Sequence, residues 1–164
     1  MQFIRNATLG DLAQIKGLAL RAWLHTYKDI MTETEIREEN DRFYTIEFHS
    51  LLLNRTADGL HLFKVLELDS QICGLLDFDF NGDSSWLMRF YVSPELIGRG
   101  YGNALLNHSE ECLFSLDRKQ YRLLVHKRNM IGIRFYERNG FLRDEAYDQS
   151  QDEEICYLRK MVHR

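Results

Sequence analysis

Between His61 and Val92 the apolar residues recur at every second position in three short runs, and directly beyond them three glycines open a helical pattern. HLFKVLEL, QICGLLDFDF and WLMRFYV are separated by the turn residues DS and NGDSS, so they predict three antiparallel strands joined by tight turns. Pro94, the single proline of the chain, closes the third strand because it has no N–H to give to a ladder. The helical pattern that follows runs to about Asp117 and places Tyr101, Leu105, Cys112 and Leu116 on one stripe. A chain that passes from a meander through a glycine turn into a helix must then cross over to a further strand, and QYRLLVH supplies it.

The remaining elements follow from caps and periods. QFIRNAT reads as an opening strand. Thr8 with Asp11, and Thr32 with Glu35, have capping-box spacing and start two helices, the second carrying Ile36, Phe43, Ile46 and Leu53 toward the core. NMIGIRFYERNG reads as a helix stopped at Asn139-Gly140, and FLRDEAY with EEICYLRKMV as a last pair of strands. The expected order is β-α-α-β-β-β-α-β-α-β-β, a mixed α/β fold. With 164 residues, 45% of them hydrophobic, and no low-complexity tract, one domain over 1–164 is expected.

Composition removes several function classes. The net charge of -4 and the lack of a basic stripe speak against a nucleic-acid partner. No apolar run reaches bilayer length and no secretion pattern opens the chain, which predicts no membrane association and a cytoplasmic location. Cys73, Cys112 and Cys156 are odd in number and lie among apolar neighbours, as small buried hydrophobes do. His108 and Cys112 share a helix face, but two ligands without a third predict no metal site.

The glycines Gly98, Gly100 and Gly102 lie where a strand gives way to a helix, so the amides of that turn are the unpaired donors of a helix N-terminus. Such a turn attracts a phosphate through its partial positive charge, and Arg99 adds a full one. A tight turn alone would need only one residue of positive φ. Asn103-Ala104 follows where a P-loop needs lysine and then Ser or Thr. A dinucleotide fingerprint needs its third glycine one position later and a longer fold beyond it.

The stretch RFYVSPELIGRGYGNALL resembles the acetyl-CoA-binding motif of the GNAT superfamily of N-acetyltransferases, with Phe90-Tyr91-Val92-Ser93-Pro94 as its strand and Gly100-Tyr101-Gly102 as its glycine pair. Ile97 stands where that family usually has Gln or Arg. NMIGIRFYERNGF is similar to a second motif of the family, with Asn129, Tyr136, Gly140 and Phe141 in register and Ile133 at a position that is usually small. The resemblance implies a GNAT-like central sheet of about six to seven strands flanked by about four helices, with acetyl-CoA as cosubstrate and no metal. It implies transfer of an acetyl group to a primary amine of a polyamine-like or other cationic small molecule, or of a peptide, directly within a ternary complex. The alternative is an acyl-CoA-binding regulatory protein without turnover; a nucleotide-binding module is a third reading. A homodimer is one candidate assembly.

The same resemblance assigns the site. Phe90, Tyr91, Val92, Ile97, Gly98, Arg99, Gly100, Tyr101, Gly102, Asn103, Asn129 and Tyr136 are expected at the cofactor, the strand residues through their backbone groups. Tyr136 would protonate the departing thiolate, since a phenol of pKa ~10 is protonated at neutral pH; its helical spacing alone equally suits a core aromatic. Asn129 would bond the pantetheine arm, cap its helix, or do both. Asp77 and Asp79 share a sheet face near Arg89 and are candidate bases, although strand patterning alone makes them a solvent-facing polar edge. Trp23, Tyr27 and Ile30 are expected to wall the acceptor. Acidic residues at Glu33, Glu35, Glu38, Glu39 and Asp41, and again at Asp144, Glu145, Asp148, Asp152, Glu153 and Glu154, would steer a cation inward.

Overall fold

A computed structural model describes residues 2–147 and 154–163 of the chain. Its seven strands form one sheet in the order β1-β2-β3-β4-β5-β7-β6, where β1 is Gln2–Asn6, β2 His61–Leu68, β3 Gln71–Asn81, β4 Ser84–Val92, β5 Gln120–His126, β6 Leu142–Arg143 and β7 Ile155–Met161. Five α-helices accompany it: α1 (Leu12–Tyr27), α2 (Glu33–Phe43), α3 (Ile46–Ala57), α4 (Tyr101–Ser115) and α5 (Met130–Arg138). Among the described residues no helix is long and apolar enough to cross a membrane.

The meander of β2, β3 and β4 pairs antiparallel as its period of two requires. Pro94 begins a short 3-10 turn after β4, and the crossover through α4 makes β4 and β5 the parallel pair. Both expected capping boxes are formed. The Thr8 backbone and hydroxyl donate to Asp11 at 2.7 and 2.8 Å, and Thr32 caps α2 with Glu35 reciprocating.

Two apolar clusters cover opposite faces of the sheet. One packs Leu105, Leu106 and Leu113 of α4 and Ile133 of α5 against Leu76, Phe78, Leu87, Tyr121 and Leu123. The other packs Ile15, Leu18 and Ala19 of α1 and Leu52 of α3 against Phe63, Val65, Ile72 and Leu75. The second cluster takes its sheet residues from β2, β3 and β4, and none from β5 or β7.

The structure revises the region expected as one second helix. It is two, because Thr45 leaves the helical region and its hydroxyl accepts the Phe48 N–H at 3.2 Å, starting α3 anew. The break shifts the helical phase, so Phe43 and Ile46 turn outward, Ile46 being 62% exposed, while Ile36, Tyr44, His49 and Leu52 face inward. The buried stripe of α4 is likewise Leu105, Leu106, Ser109 and Leu113, and Leu116 is exposed. The last pair of strands is shorter than expected: β6 ends at Arg143 because Asp144 turns inward to two arginines, Nε of Arg122 at 2.7 Å and Nε of Arg159 at 3.5 Å.

Candidate active site

β4 and β5 are bridged at one pair, Trp86 and Arg122, and then diverge. Beyond that bridge the sheet splits, and a cavity of about 730 Å³ occupies the gap. Its walls are Leu87 to Val92 of β4, Leu123 to Val125 of β5, the end of α1, and α5; its floor is the glycine turn and the first turn of α4. The β4 edge that faces this gap has its N–H and C=O groups turned toward the cavity instead of a neighbouring strand, an open edge for an extended ligand arm.

The glycine turn is built as an anion seat. Gly98 and Gly100 have φ of 81° and 88°, which side chains rarely adopt, and a Cβ on either would meet nothing within 4 Å, so both borders of the turn are open. Gly100 caps α4 with no side-chain acceptor, and the first helical bond runs from the Ala104 N–H to Gly100, which leaves the amides of Tyr101, Gly102 and Asn103 ahead of it. No acidic residue occupies that first turn. Gly102 serves a different purpose from its neighbours. A Cβ there would lie 3.0 Å from the Phe135 ring, so this glycine lets α4 and α5 approach each other. Asn139 ties the same two helices through Nδ2 to Asn103 Oδ1 at 3.3 Å.

Most of the residues expected at the cofactor line this cavity: Phe90, Tyr91, Val92, Ile97, Gly98, Gly100, Gly102, Asn103, Asn129 and Tyr136. The side chains of Arg99 and Tyr101 are not among its lining. Of the expected acceptor wall, Trp23 and Tyr27 line it and Ile30 does not. Sequence reasoning missed His25, Thr26, Met88, Leu124, Arg134 and Arg138. The two arginines carried a readable signal, since they stand four apart on the polar side of α5. Among the described lining residues there is no carboxylate, whereas Arg89, Arg134 and Arg138 bring three fixed cations.

Tyr136 presents its edge to a ring cluster of Phe90, Phe135 and Phe141, with centroids 6.4, 5.5 and 5.1 Å away. Burial pushes its phenol well above the ordinary tyrosine value, and the neighbouring hydroxyls of Tyr27 and Tyr91 add to the rise. Tyr27 is also raised by burial, and the neighbouring Asn129 side chain opposes that rise. Asn129 caps α5 as well, its Oδ1 accepting the Gly132 N–H at 2.9 Å. One side chain therefore fixes a helix end at the cavity wall.

Asp77 and Asp79 share one face with Arg89, as expected, but that face is not solvent-exposed. Asp77 is fully buried; its Oδ1 meets Nε2 of His61 and its Oδ2 meets Nη1 of Arg89. Asp79 accepts from Arg55 and lies 3.3 Å from Nδ1 of His61. α3 covers the group, with the Phe48 ring 4.7 Å from the Arg89 guanidinium. Neither carboxylate lines the cavity; Arg89 does, as the end of a buried chain of charges.

Part of the expected acidic walls is ion-paired. Glu33 pairs with Arg37, Glu39 with Arg42 and Asp41 with Lys16, while Glu35 is held by Thr32. Asp144 is buried between Arg122 and Arg159, Glu154 meets His126, and Asp148, Asp152 and Glu153 lie outside the described residues. Shallower than the gap, a depression of about 540 Å³ beside α1 and α2 has Lys16 and Asp41 as its charged lining, already paired to each other.

The sequence model of the acetyltransferase (GNAT) family matches residues 20–141. A spermidine N(1)-acetyltransferase of Thermoplasma acidophilum is 29% identical over 142 residues, spanning 84% of this chain and 86% of the relative. The crystal structure of the PaiA N-acetyltransferase from Thermoplasma acidophilum in complex with coenzyme A superposes with a TM-score of 0.91 at 26% identity, covering 98% of this chain and 99% of that one. The ribosomal-protein-S18-alanine N-acetyltransferase from Escherichia coli shares the fold, with a TM-score of 0.72 at 17% identity over 100% of this chain and 96% of its own.

Proposed function

The chain belongs to the GNAT family of acetyltransferases and is an acyltransferase, and from that premise we propose that it moves an acetyl group from acetyl-CoA to the primary amine of a small molecule or peptide. The observation that carries this reading is the opening of the sheet beyond Trp86 and Arg122 directly onto a helix N-terminus with uncapped amides. A coenzyme A diphosphate fits that seat: the turn is open, free of carboxylates, and shares its cavity with Arg134 and Arg138. The likeness to a structure that contains coenzyme A supports the same cosubstrate.

When bound, acetyl-CoA supplies an acetyl group activated as a thioester. The chain's own part is to hold and aim. Amides of the glycine turn and of Tyr101 to Asn103 take the diphosphate, and the open edge of β4 at Phe90 to Val92 pairs with the extended arm. Asn129 fixes the start of α5 at the wall. Tyr136, whose phenol is protonated at neutral pH, donates to the departing sulfur as the amine bonds to the acetyl carbon and the C–S bond breaks. An amine of pKa ~10.4 must lose a proton to solvent water before attack, and the guanidinium of Arg89, held by Asp77, favours the neutral form of an amine brought beside it. The family relative that acts on spermidine supports a small amine as acceptor.

Thiol release from acetyl-CoA in the presence of an amine panel tests the reading. Tyr136→Phe is expected to lower kcat by about a hundredfold, within the usual range for a general acid, while the KM for acetyl-CoA stays within about threefold. A variant as fast as the native protein removes Tyr136 from the chemistry. Coenzyme binding without turnover of any amine would instead favour an acyl-CoA-binding regulator.

A further inference from the structure

Among the described residues, the sheet has one region that no helix covers. On the face where α1 and α3 lie over β2, β3 and β4, the apolar cluster includes no residue of β5 or β7. Register places Trp86, Arg122 and Leu124 on this face with Arg159 and Tyr157 opposite the latter two, and ring contacts confirm it: Trp86 lies 6.2 Å from Tyr157, and Tyr147 lies 5.2 Å from Trp86. Next to them, the register jump between Asp77 and Phe78 leaves Met88 as an extra residue of β4, and its side chain turns into the open. Met88 and Leu124 are each 55% exposed.

Met88 and Leu124 also line the cavity of the sheet gap, so the apolar face and the transfer site are one continuous surface. The cations on that face are already spoken for, since Arg122 and Arg159 both meet Asp144 and Arg122 stacks 4.9 Å from the Tyr147 ring. The described cavity lining has no carboxylate to hold the second ammonium of a polyamine. An exposed apolar and aromatic patch running into a reaction site is a ligand surface.

We propose that the acceptor amine carries an apolar or aromatic body, and that this body lies across Trp86, Met88, Leu124 and Tyr157 while its amine enters the gap. The proposal rests on the acetyltransferase reading above and names the class of acceptor within it. Charge complementarity selects this occupant over a polycation: the gap holds Arg89 and no opposing carboxylate among its described residues. Each methylene or ring carbon laid on the face adds binding without adding charge, at roughly fourfold per methylene.

The test measures kcat/KM of the full chain with acetyl-CoA and each of 2-phenylethylamine, ethylamine and spermidine, followed by thiol release. The expected order puts 2-phenylethylamine at least tenfold above both others. Leu124→Asp is expected to raise the KM for 2-phenylethylamine at least fivefold with the KM for acetyl-CoA unchanged within twofold; as an exposed strand position it should not disturb folding, which circular dichroism checks. Spermidine as the better acceptor, or an unmoved KM in Leu124→Asp, overturns the proposal and leaves the acetyltransferase reading standing. Sedimentation covers the other occupant: a dimer that Leu124→Asp splits without changing the acceptor KM assigns the face to a second copy and overturns it too. Absence of turnover with every amine, despite heat on titration with acetyl-CoA, overturns both readings together.

Discussion

At the scale of single residues, the site separates groups by whether their polar atoms are already engaged. Asp77 is engaged by both His61 and Arg89 and does not line the cavity. Tyr136 is the reverse, with its hydroxyl at a cavity wall and its pKa driven upward by burial. The sign of its pH dependence follows. A donor acts in its protonated form, so its contribution is lost only as pH climbs through its own raised value. The kcat profile is expected to stay flat on the alkaline side up to about pH 10, the ordinary tyrosine value. A fall centred below pH 9 would assign the limb to another group. Asp77→Asn should leave the shape of that profile in place and act on stability, costing about 3 kcal/mol in urea denaturation because Arg89 is left buried without its partner. A shifted acidic limb in Asp77→Asn at native stability would restore it as a base.

At the scale of elements, the glycine stretch shows how one motif holds two physical demands. Gly100 is required by its φ of 88°, and Gly102 by the distance of 3.0 Å to Phe135 across the α4–α5 contact. Alanine at Gly102 is expected to cost about 1–3 kcal/mol by overpacking, and Phe135→Leu should return much of it, since the clash lies in that ring. Alanine at Gly100 should cost about 1–2 kcal/mol by backbone strain, with no rescue from Phe135→Leu. Additive effects in the Gly102 and Phe135 pair, measured by denaturant midpoints, would show that the ring gives way freely. The meander, the crossover and the caps were legible in the chain because alternation, a lone proline and Thr-x-x-Glu spacing each have one structural meaning. The split between α2 and α3 was not, since Phe43, Ile46 and Leu53 continue an apolar pattern and only the Thr45 hydroxyl, bonded to Phe48, interrupts it. The cavity residues that fall in the two motifs were expected from the family resemblance those motifs carry, whereas Met88 came from a bulge and Leu124 from a missing helix layer, neither of which leaves a local trace.

At the scale of the whole molecule, a single bridge between Trp86 and Arg122 joins the β1–β4 half of the sheet to the β5–β7 half, and the gap beyond it is the proposed ligand site. Beneath the gap the two halves are linked by the cluster under α4 and α5, so an occupant of the cavity closes the side that packing leaves open. Ligand binding should therefore act as a structural tie. Acetyl-CoA at one hundred times its Kd is expected to add about 2.7 kcal/mol, which for a chain of this size raises Tm by roughly 5–10 °C. Hydrogen exchange should slow together along the β4 wall from Arg89 to Val92 and at the floor, in the first turn of α4. Acetyl-pantetheine, which has the arm and the thioester but no diphosphate, separates the contributions. It should protect the β4 edge while leaving the amides of Tyr101 to Asn103 exchanging as in the free protein. Equal protection of those amides by both compounds would mean that the helix N-terminus does not hold the diphosphate, and the assignment of the glycine turn would fall.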